Sequence, residues 1–424
     1  SFAPRFRSEY MRDGKGLTMA GWRPFLREPA EEVRAAYDAA AARTHDLMHN
    51  LGWIAGGIQH AVADTVGDGL RLDAKATADA LQLDEQRAAE WNKLAEKRFA
   101  LWADRPYECD IEGTRTLGQM EAAGFRGYFG FGEIVAQFPW KERRGGRYGS
   151  KIKLLPAFRL SQKTEPMQRL VQGVRMDADG MPQSYVFELP DPYVGKREVE
   201  AYARDNYGRI HVAHVFDGDI GHKRGLSPLV PVLRVARQYD QLANAALMQA
   251  IVQSIFAATV ESDAPTEEVL ENLLTQEEKT ACLTNNIPLI DAWYASQEGY
   301  YRNKQIDVGV TGRVVHTSPG DELKFHTNQV NGLNHEVIAK LLLRENARCM
   351  GITYESMTGD YAGVTFSSMK CADGNIHKVT KYRRKNIVAP FCQAAYEVWL
   401  EEEFDRGGPL ALPGGIEYFI ANRA

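Results

Sequence analysis

The sequence predicts an α+β protein in which helices come first, short strands follow, and two long helices flank a mixed segment. Three observations carry this. Apolar residues between Glu31 and Asp64 recur at helical spacing. From Gly132 to Leu189 they fall in short β-like runs between Gly-rich turns. The run from Ser227 is apolar on several sides of a helix rather than along one stripe.

Each element follows in chain order. Leu47, Leu51, Ile54, Ile58 and Val62 lie at helical intervals within a single helix that "GDG" at Gly67–Gly69 closes. Asp84 is a good N-cap for a second helix through Trp91, Leu94 and Trp102, and a third follows Thr116. "GEIVAQF", "KIKLLPAF" and "GVRMDADGMPQSYVFEL" then read as strands. Ser227 is a natural N-cap and Pro228 suits the first helical position, so a helix of about seven or eight turns is possible from there. Leu242, Ala246, Val252 and Phe256 take one side of it, and Met248, Ile251 and Ile255 another. Such a helix must be buried on several sides, inside a monomer core or between neighbouring subunits. A polar, mixed segment follows, ending in the β-like "GRVVHTSPGDELKFH". A second helix, "HEVIAKLLLRENARCMG", stops at Gly351. Next comes "MTGDYAGVTFSSMKCADGN", a loop with two glycines and two aromatic rings that opens through a Ser-Ser pair onto a helix. In the last long helical run, Pro390 predicts a kink near Val388.

Composition narrows the function. With 424 residues, 44% of them hydrophobic, the chain can build a proper core over two or three domains. The longest greasy stretch, "AALMQAIVQSIFAATVE", is interrupted by Gln249, Gln253 and Ser254, short of the ~18 apolar residues of a membrane span. A soluble protein is expected. No secretory signal is visible, and both termini are read as trimmed. Five scattered cysteines predict free thiols in a reducing interior. A net charge of −5 argues against tight binding of nucleic acid, so any DNA contact should be loose.

The chemical motifs are weak. His45 and His49 stand at i and i+4 but lack the glutamate base and third ligand of a metalloprotease, and read as polar-face residues. His211, His214, Asp217, Asp219 and His222 form the densest set of metal-ligand types, yet His211 and His214 on a strand point to opposite faces. A metal-dependent hydrolase using His211, His214 and Asp217 is the runner-up function. "ERRGGRYGSK" has a Gly-Ser-Lys order that does not fit a phosphate loop and reads as a hairpin turn, as does "DADG" at Asp177–Gly180. No nucleophile is paired with a base, and no cofactor or catalytic residue is expected. The basic run "HKVTKYRRKN", His377–Asn386, is a solvated face, a set of inter-subunit ion pairs, or a polyanion contact.

Taken in order, five pieces resemble the lambda-type portal proteins of tailed bacteriophages. They are "HDLMHNLGWIAGGIQHAVADTVGDGLRL", the helix running into "GE" and a strand, the hairpin "GVRMDADGMPQSYVFEL", the strand and Arg-Gly turn of "HVFDGDIGHKRGLSPLVPVL", and "GITYESMTGDYAGVTFSSMKCA". The resemblance spans roughly Ala35 to Phe404, with the least recognisable part at 264–310. It implies a non-enzymatic ring, usually of twelve copies, at one capsid vertex of the virion, made in the host bacterial cytoplasm. Double-stranded DNA would pass through its channel during packaging and ejection. The implied partners are the terminase large subunit, a head-tail connector or adaptor, and the major capsid protein; no membrane is involved. The implied domains are a wing (1–225), a first stem helix (226–258), a clip (259–332), a second stem helix (333–351), a tunnel loop (352–366), a kinked helix returning to wing or crown (367–405), and a C-terminal segment (406–424). Asp360, Tyr361, Ala362, Gly363, Val364, Thr365 and Phe366 would then touch DNA. Lys378, Lys381, Arg383, Arg384 and Lys385 are candidate DNA or inter-subunit contacts. Leu242, Ala246, Met248, Ile251, Val252, Ile255 and Phe256 would pack neighbouring stems. The competing reading of the loop is a surface turn with its two rings tucked into the core.

Overall fold

A computed structural model describes residues 26–193, 195–254, 258–262, 276–285, 288, 291, 294–295, 298, 321–325 and 332–422. The chain forms two compact units, Ser1–Arg237 with Leu342–Ala424, and Gln238–Leu341. The boundaries of these units fall inside the two long helices rather than at their ends.

In the first unit, the spacing between Glu31 and Asp64 resolves into two helices, α1 (Pro29–Asn50) and α2 (Gly52–Thr65), where the periodicity predicts one. Leu51 takes extended backbone, φ −109 and ψ 105, between Asn50 and Gly52, both weak helix formers. After α3 (Ala78–Leu81), helix α4 (Glu85–Ala103) starts where predicted, with the Asp84 carboxylate accepting from the Arg87 N–H. Then come α5 (Pro106–Cys109) and α6 (Leu117–Phe131), the latter opened by a reciprocal Thr116–Gln119 capping box.

The strands form two antiparallel sheets. The first has order β2-β1-β7, with β1 (Glu133–Gln137) between β2 (Lys153–Leu155) and β7 (Val212–Phe216). The second is β3-β4-β5-β6, from β3 (Leu170–Val171), β4 (Val174–Met176), β5 (Pro182–Asp191) and β6 (Gly195–Tyr202). The predicted turn at Asp177–Gly180 is present, with Asp177 Oδ1 accepting from the N–H groups of Asp179 and Met181 at 2.9 and 2.8 Å. One apolar cluster joins the sheets, packing Val135, Leu155 and Val212 with Val174, Tyr185 and Phe187.

Ser227 is fixed, though not as the start of a long helix. Its hydroxyl donates to the Phe129 carbonyl and accepts from the Leu229 N–H. A 3-10 turn at Val230–Val232 follows, and α7 (Leu233–Ser254) begins beyond it, because Pro231 disfavours α backbone at the residue before it. At 22 residues α7 has about six turns, not seven or eight. It stops short of 258: Ala258 opens β8 (Ala258–Ser262), paired antiparallel with β9 (Asp321–Phe325). Between these strands lies α8 (Gln276–Asn285). The second long helix, α9 (Gly332–Met350), starts three residues before the predicted "HEVIAKLLLRENARCMG" and stops where Gly351 predicts. It is followed by α10 (Tyr354–Thr358), α11 (Phe366–Arg383), α12 (Ala389–Asp405) and α13 (Gly415–Ala421). Where Pro390 predicts a break, α11 runs into α12 through a π-helical turn at Arg384–Val388. The wider turn accommodates a residue that cannot donate a backbone hydrogen bond. Among the described residues no helix is long and apolar enough to cross a membrane, and Cys109, Cys349, Cys371 and Cys392 are free thiols.

A buried ion pair organises the first unit. Glu133 opens β1 and Arg224 lies in the loop after β7; their side chains are 0% exposed and the Arg224 Nε stands 2.9 Å from Glu133 Oε1. Glu133 also accepts from the Tyr37 hydroxyl at 2.7 Å, the Gly225 N–H at 3.2 Å and His214 Nε2 at 2.8 Å. Arg224 donates its remaining N–H groups to the carbonyls of Ala157, Leu160, Ser161 and Gln172 and to the Tyr37 hydroxyl. The flanking glycines let the backbones meet: a Cβ on Gly132, at φ +86, would stand 2.2 Å from the Leu226 carbonyl carbon, and one on Gly225 2.2 Å from the Gly132 oxygen.

Burial pushes the Glu133 carboxyl up, but Arg224 and His214 more than offset it and hold it at about 2, below the ordinary 4.5. A lowered folded-state pKa gives stability that is fully present above about pH 4.5 and lost as pH falls through about 2. Denaturant unfolding across that range should show wild-type stability declining with acid. Glu133→Gln, which cannot titrate and strands Arg224, should lose that component and be weaker at neutral pH by ~3–5 kcal/mol. Parallel pH curves for the two proteins would contradict this role.

Candidate functional site

The loop between α9 and α11 is built by caps at both ends and left open in the middle. Gly351 ends α9 in left-handed backbone, φ +73. Arg383, at the far end of α11, reaches back to the end of α9 and donates to the carbonyls of Met350 and Cys349. Its guanidinium lies 5.1 Å from the Phe129 ring centroid, and a Cβ on Gly351 would stand 2.7 Å from its Nη1. A cation here meets the negative end of the helix dipole as well as the unpaired carbonyls. Thr353 caps α10 by accepting from the Ser356 N–H at 2.9 Å, and Met357 is buried beneath it. Gly359, at φ +69, closes α10.

From there the chain is exposed. Asp360 Oδ1 accepts from the Ala362 N–H at 3.1 Å, an Asx turn, and Gly363 adopts φ +74. Tyr361 is 56% and Phe366 82% exposed in the single chain. The alternative with both rings in the core is therefore not what the fold adopts. Helix α11 begins at Phe366 with Thr365 as N-cap in a capping box with Ser368, so the Ser-Ser pair lies inside the first turn rather than before it. Of the 352–366 span, Tyr354–Thr358 is helix, Phe366 already opens α11, and the rest is loop.

The basic run on α11 divides into two kinds of residue. Arg383 is buried, and burial pulls its pKa below the usual guanidinium range. Arg384 donates to the carbonyls of Thr65 at 2.7 Å and Asp64 at 3.1 Å, at the end of α2. Both arginines are tied to backbone carbonyls within the chain, Arg383 in the interior and Arg384 with its side chain still exposed. Lys378, Lys381 and Lys385 are exposed, as is Lys370, which the run His377–Asn386 leaves out.

The predicted stem residues are only partly visible. Leu242 and Ala246 are half-buried, and Met248 and Ile251 are 59% and 40% exposed. The side chains of Val252, Ile255 and Phe256 lie outside the described residues. Leu247, absent from the sequence-based set, is 59% exposed, and on α9 so are Val337, Ile338 and Leu341 at 65%, 46% and 64%.

The hydrolase candidates do not converge. His214 is held against Glu133, its side chain 2% exposed, and Asp217 accepts from the Tyr382 hydroxyl at 3.2 Å. No group of three His, Cys, Asp or Glu side chains among the described residues is placed to hold a metal. The hairpin that superficially resembles a phosphate loop is filled from within: Glu402 accepts from the N–H groups of Gly149 and Ser150 at 2.7 and 2.8 Å. Lys151 is fully buried, its Nζ on the Glu108 and Tyr107 carbonyls.

The family model described as phage portal protein, lambda family, matches residues 15–384. Portal protein B of Escherichia phage lambda is 26% identical over 412 residues, covering 93% of this chain and 74% of that protein. The portal protein of Escherichia phage N15 is 25% identical over 410 residues, with the same shares. Among solved structures, a chain from the neck of an empty GTA particle computed with C6 symmetry shows a TM-score of 0.45 at 14% identity, covering 85% of this chain and 81% of that one.

Thermal or denaturant unfolding should separate the two kinds of cation on α11. Arg383→Gln leaves buried carbonyls at the end of α9 without a donor and should cost ~1–3 kcal/mol. Lys378→Gln, Lys381→Gln and Lys385→Gln should each stay within ~0.5 kcal/mol of wild type. A loss at Lys381 equal to that at Arg383 would refute the distinction.

Proposed function

This chain belongs to the lambda family of phage portal proteins, and from that premise we propose that it closes into a ring, usually of twelve copies, at one capsid vertex. Double-stranded DNA passes through its channel during packaging and ejection. The observation that carries the reading is the pair of apolar surfaces on α7 and α9. Leu247 and Met248 on one helix and Val337 and Leu341 on the other are each more than half exposed in the single chain. Large apolar side chains exposed on two helices call for cover by another molecule, and a second copy is what a closed ring supplies. These helices are the two stems, and the segment between them is the clip.

The loop 359–366 is the part of the chain that faces DNA. Its exposed Tyr361 and Phe366 meet the duplex through weak contacts that carry no base information, since a moving duplex presents every sequence in turn. The ring performs no catalysis. ATP cleavage during packaging belongs to the terminase motor, which docks on the clip and later gives way to a head-tail connector, while the major capsid protein surrounds the wing.

Mass measurement of the purified protein should find closed rings, and Leu247→Asp with Leu341→Asp should shift it to smaller species without unfolding the first unit. A wild-type monomer at high concentration would count against assembly through these helices. Deleting residues 359–363 should leave ring mass and melting temperature nearly unchanged while packaged DNA is lost or leaks. If that deletion prevents folding, the loop is a structural anchor and not a channel lining.

A further inference from the structure

We propose that the exposed face of α11 is a track for the phosphates of duplex DNA, formed by Lys370, Lys378 and Lys381 and continued by Lys385 in the π-helical turn. It deepens the portal reading and rests on it. At 3.6 residues per turn, Phe366, Lys370, His377 and Lys381 stand at i, i+4, i+11 and i+15 and share one narrow sector of the helix, with Lys378 beside it. All five are exposed. Gly374 lies within the same face, and a Cβ built there meets no atom within 4 Å, so no other part of the described chain covers this surface. Asp373 is the acidic residue on this face.

Pairing and side-chain type point to phosphate. No salt bridge to a described residue involves Lys370, Lys378, Lys381 or Lys385, whereas Arg383 and Arg384 next to them are held by carbonyls. Of the exposed cations here, Lys370, Lys378, Lys381 and Lys385 are lysines, while Arg384, also exposed, is tied to the Thr65 and Asp64 carbonyls. A guanidinium forms fixed two-point bonds, the geometry suited to a permanent pair across an interface between copies. An ammonium on a flexible stem is a point charge that follows a phosphate without fixing its orientation, as a sliding duplex requires. The face also begins at Phe366, the first residue of α11 directly after the proposed channel loop, so a duplex touching that ring continues onto Lys370 one turn later.

The spacing keeps the attraction sparse. Lys370 to Lys385 covers roughly 22 Å of helix, and duplex DNA carries about one phosphate per 1.7 Å of axis, or about 13 over that length. A few lysines against so many charges attract DNA without holding it in one register. This agrees with a chain whose net charge is −5.

The test uses purified rings of the full chain and a labelled short duplex, in two unrelated sequences, titrated between ~50 and ~200 mM salt. The triple variant Lys370→Gln, Lys378→Gln, Lys381→Gln should keep its ring mass and melting temperature. It should bind both duplexes about tenfold more weakly, and its plot of log affinity against log salt should be shallower by about 0.9 for each phosphate left without its lysine. Arginine at the same three positions should retain binding. Affinity and slope unchanged in the glutamine variant, with wild type binding normally, would overturn the track while leaving the portal reading intact. Rings that fall apart in that variant would assign the lysines to contacts between copies and equally overturn it. Wild-type protein that neither closes into rings nor binds duplex would sink the portal reading and the track together.

Discussion

The buried pair of Glu133 and Arg224 is the constraint on which the rest of the first unit depends. Removing two charges from water is expensive, and the cost is offset only when every donor and acceptor finds a partner. Here they do: the carboxylate takes Tyr37, His214 and the Gly225 N–H, and the guanidinium takes four backbone carbonyls besides. The pair therefore ties α1, the first sheet, the β3–β4 turn and the loop before α7 to one point. Geometry this specific leaves little freedom in how those pieces fit, and it fixes the root from which α7 departs.

A second arginine does comparable work at the other side of the loop. Arg383 caps the end of α9 while standing on the Phe129 ring, and Phe129 in turn receives the Ser227 hydroxyl at its carbonyl. Arg383 and Ser227 thus both meet Phe129 near the end of α6, one at its ring and one at its carbonyl. The loop 359–366 gains its character from this frame. Its ends are capped by Thr353 and Thr365, so it can leave its middle in solvent without fraying the helices on either side. For a segment proposed to touch a moving duplex, a firm frame around a yielding tip is the useful arrangement.

Acidic side chains close the C-terminal side of the same unit. Glu401, Glu402 and Glu403, consecutive on α12, are all buried. Glu402 fills the Gly149–Ser150 turn, and Glu403 takes Arg98 at 2.8 Å and the Tyr148 hydroxyl. Glu401 faces Arg209 at 3.3 Å. Three successive helical positions point in different directions, about 100° apart, so each carboxylate meets a different piece of chain. An anion site made by backbone N–H groups exists in this protein, and its anion is one of its own glutamates.

Local signals were legible in the sequence by themselves. Asp84 and Thr116 as helix starts, Gly351 as a helix stop, the short strands, the Asp177 turn and the disturbance at Pro390 all follow from the chemistry of a few adjacent residues. The family could be read as well, because its pieces lie in order along the chain, and two of them, Gly132-Glu133 and Arg224-Gly225, are the halves of the buried pair. That they meet was not legible: 91 residues separate the partners, and nothing local distinguishes a glutamate bound for the core from one on the surface. The same reason explains the basic run. Arg383, Arg384, Lys381 and Lys385 are alike as sequence, and only the packing at the end of α11 decided that Arg383 is buried, that Arg384 is tied to carbonyls of α2 and that the lysines stay in solvent. Burial is a property of the whole fold, whereas caps and turns belong to single stretches of chain.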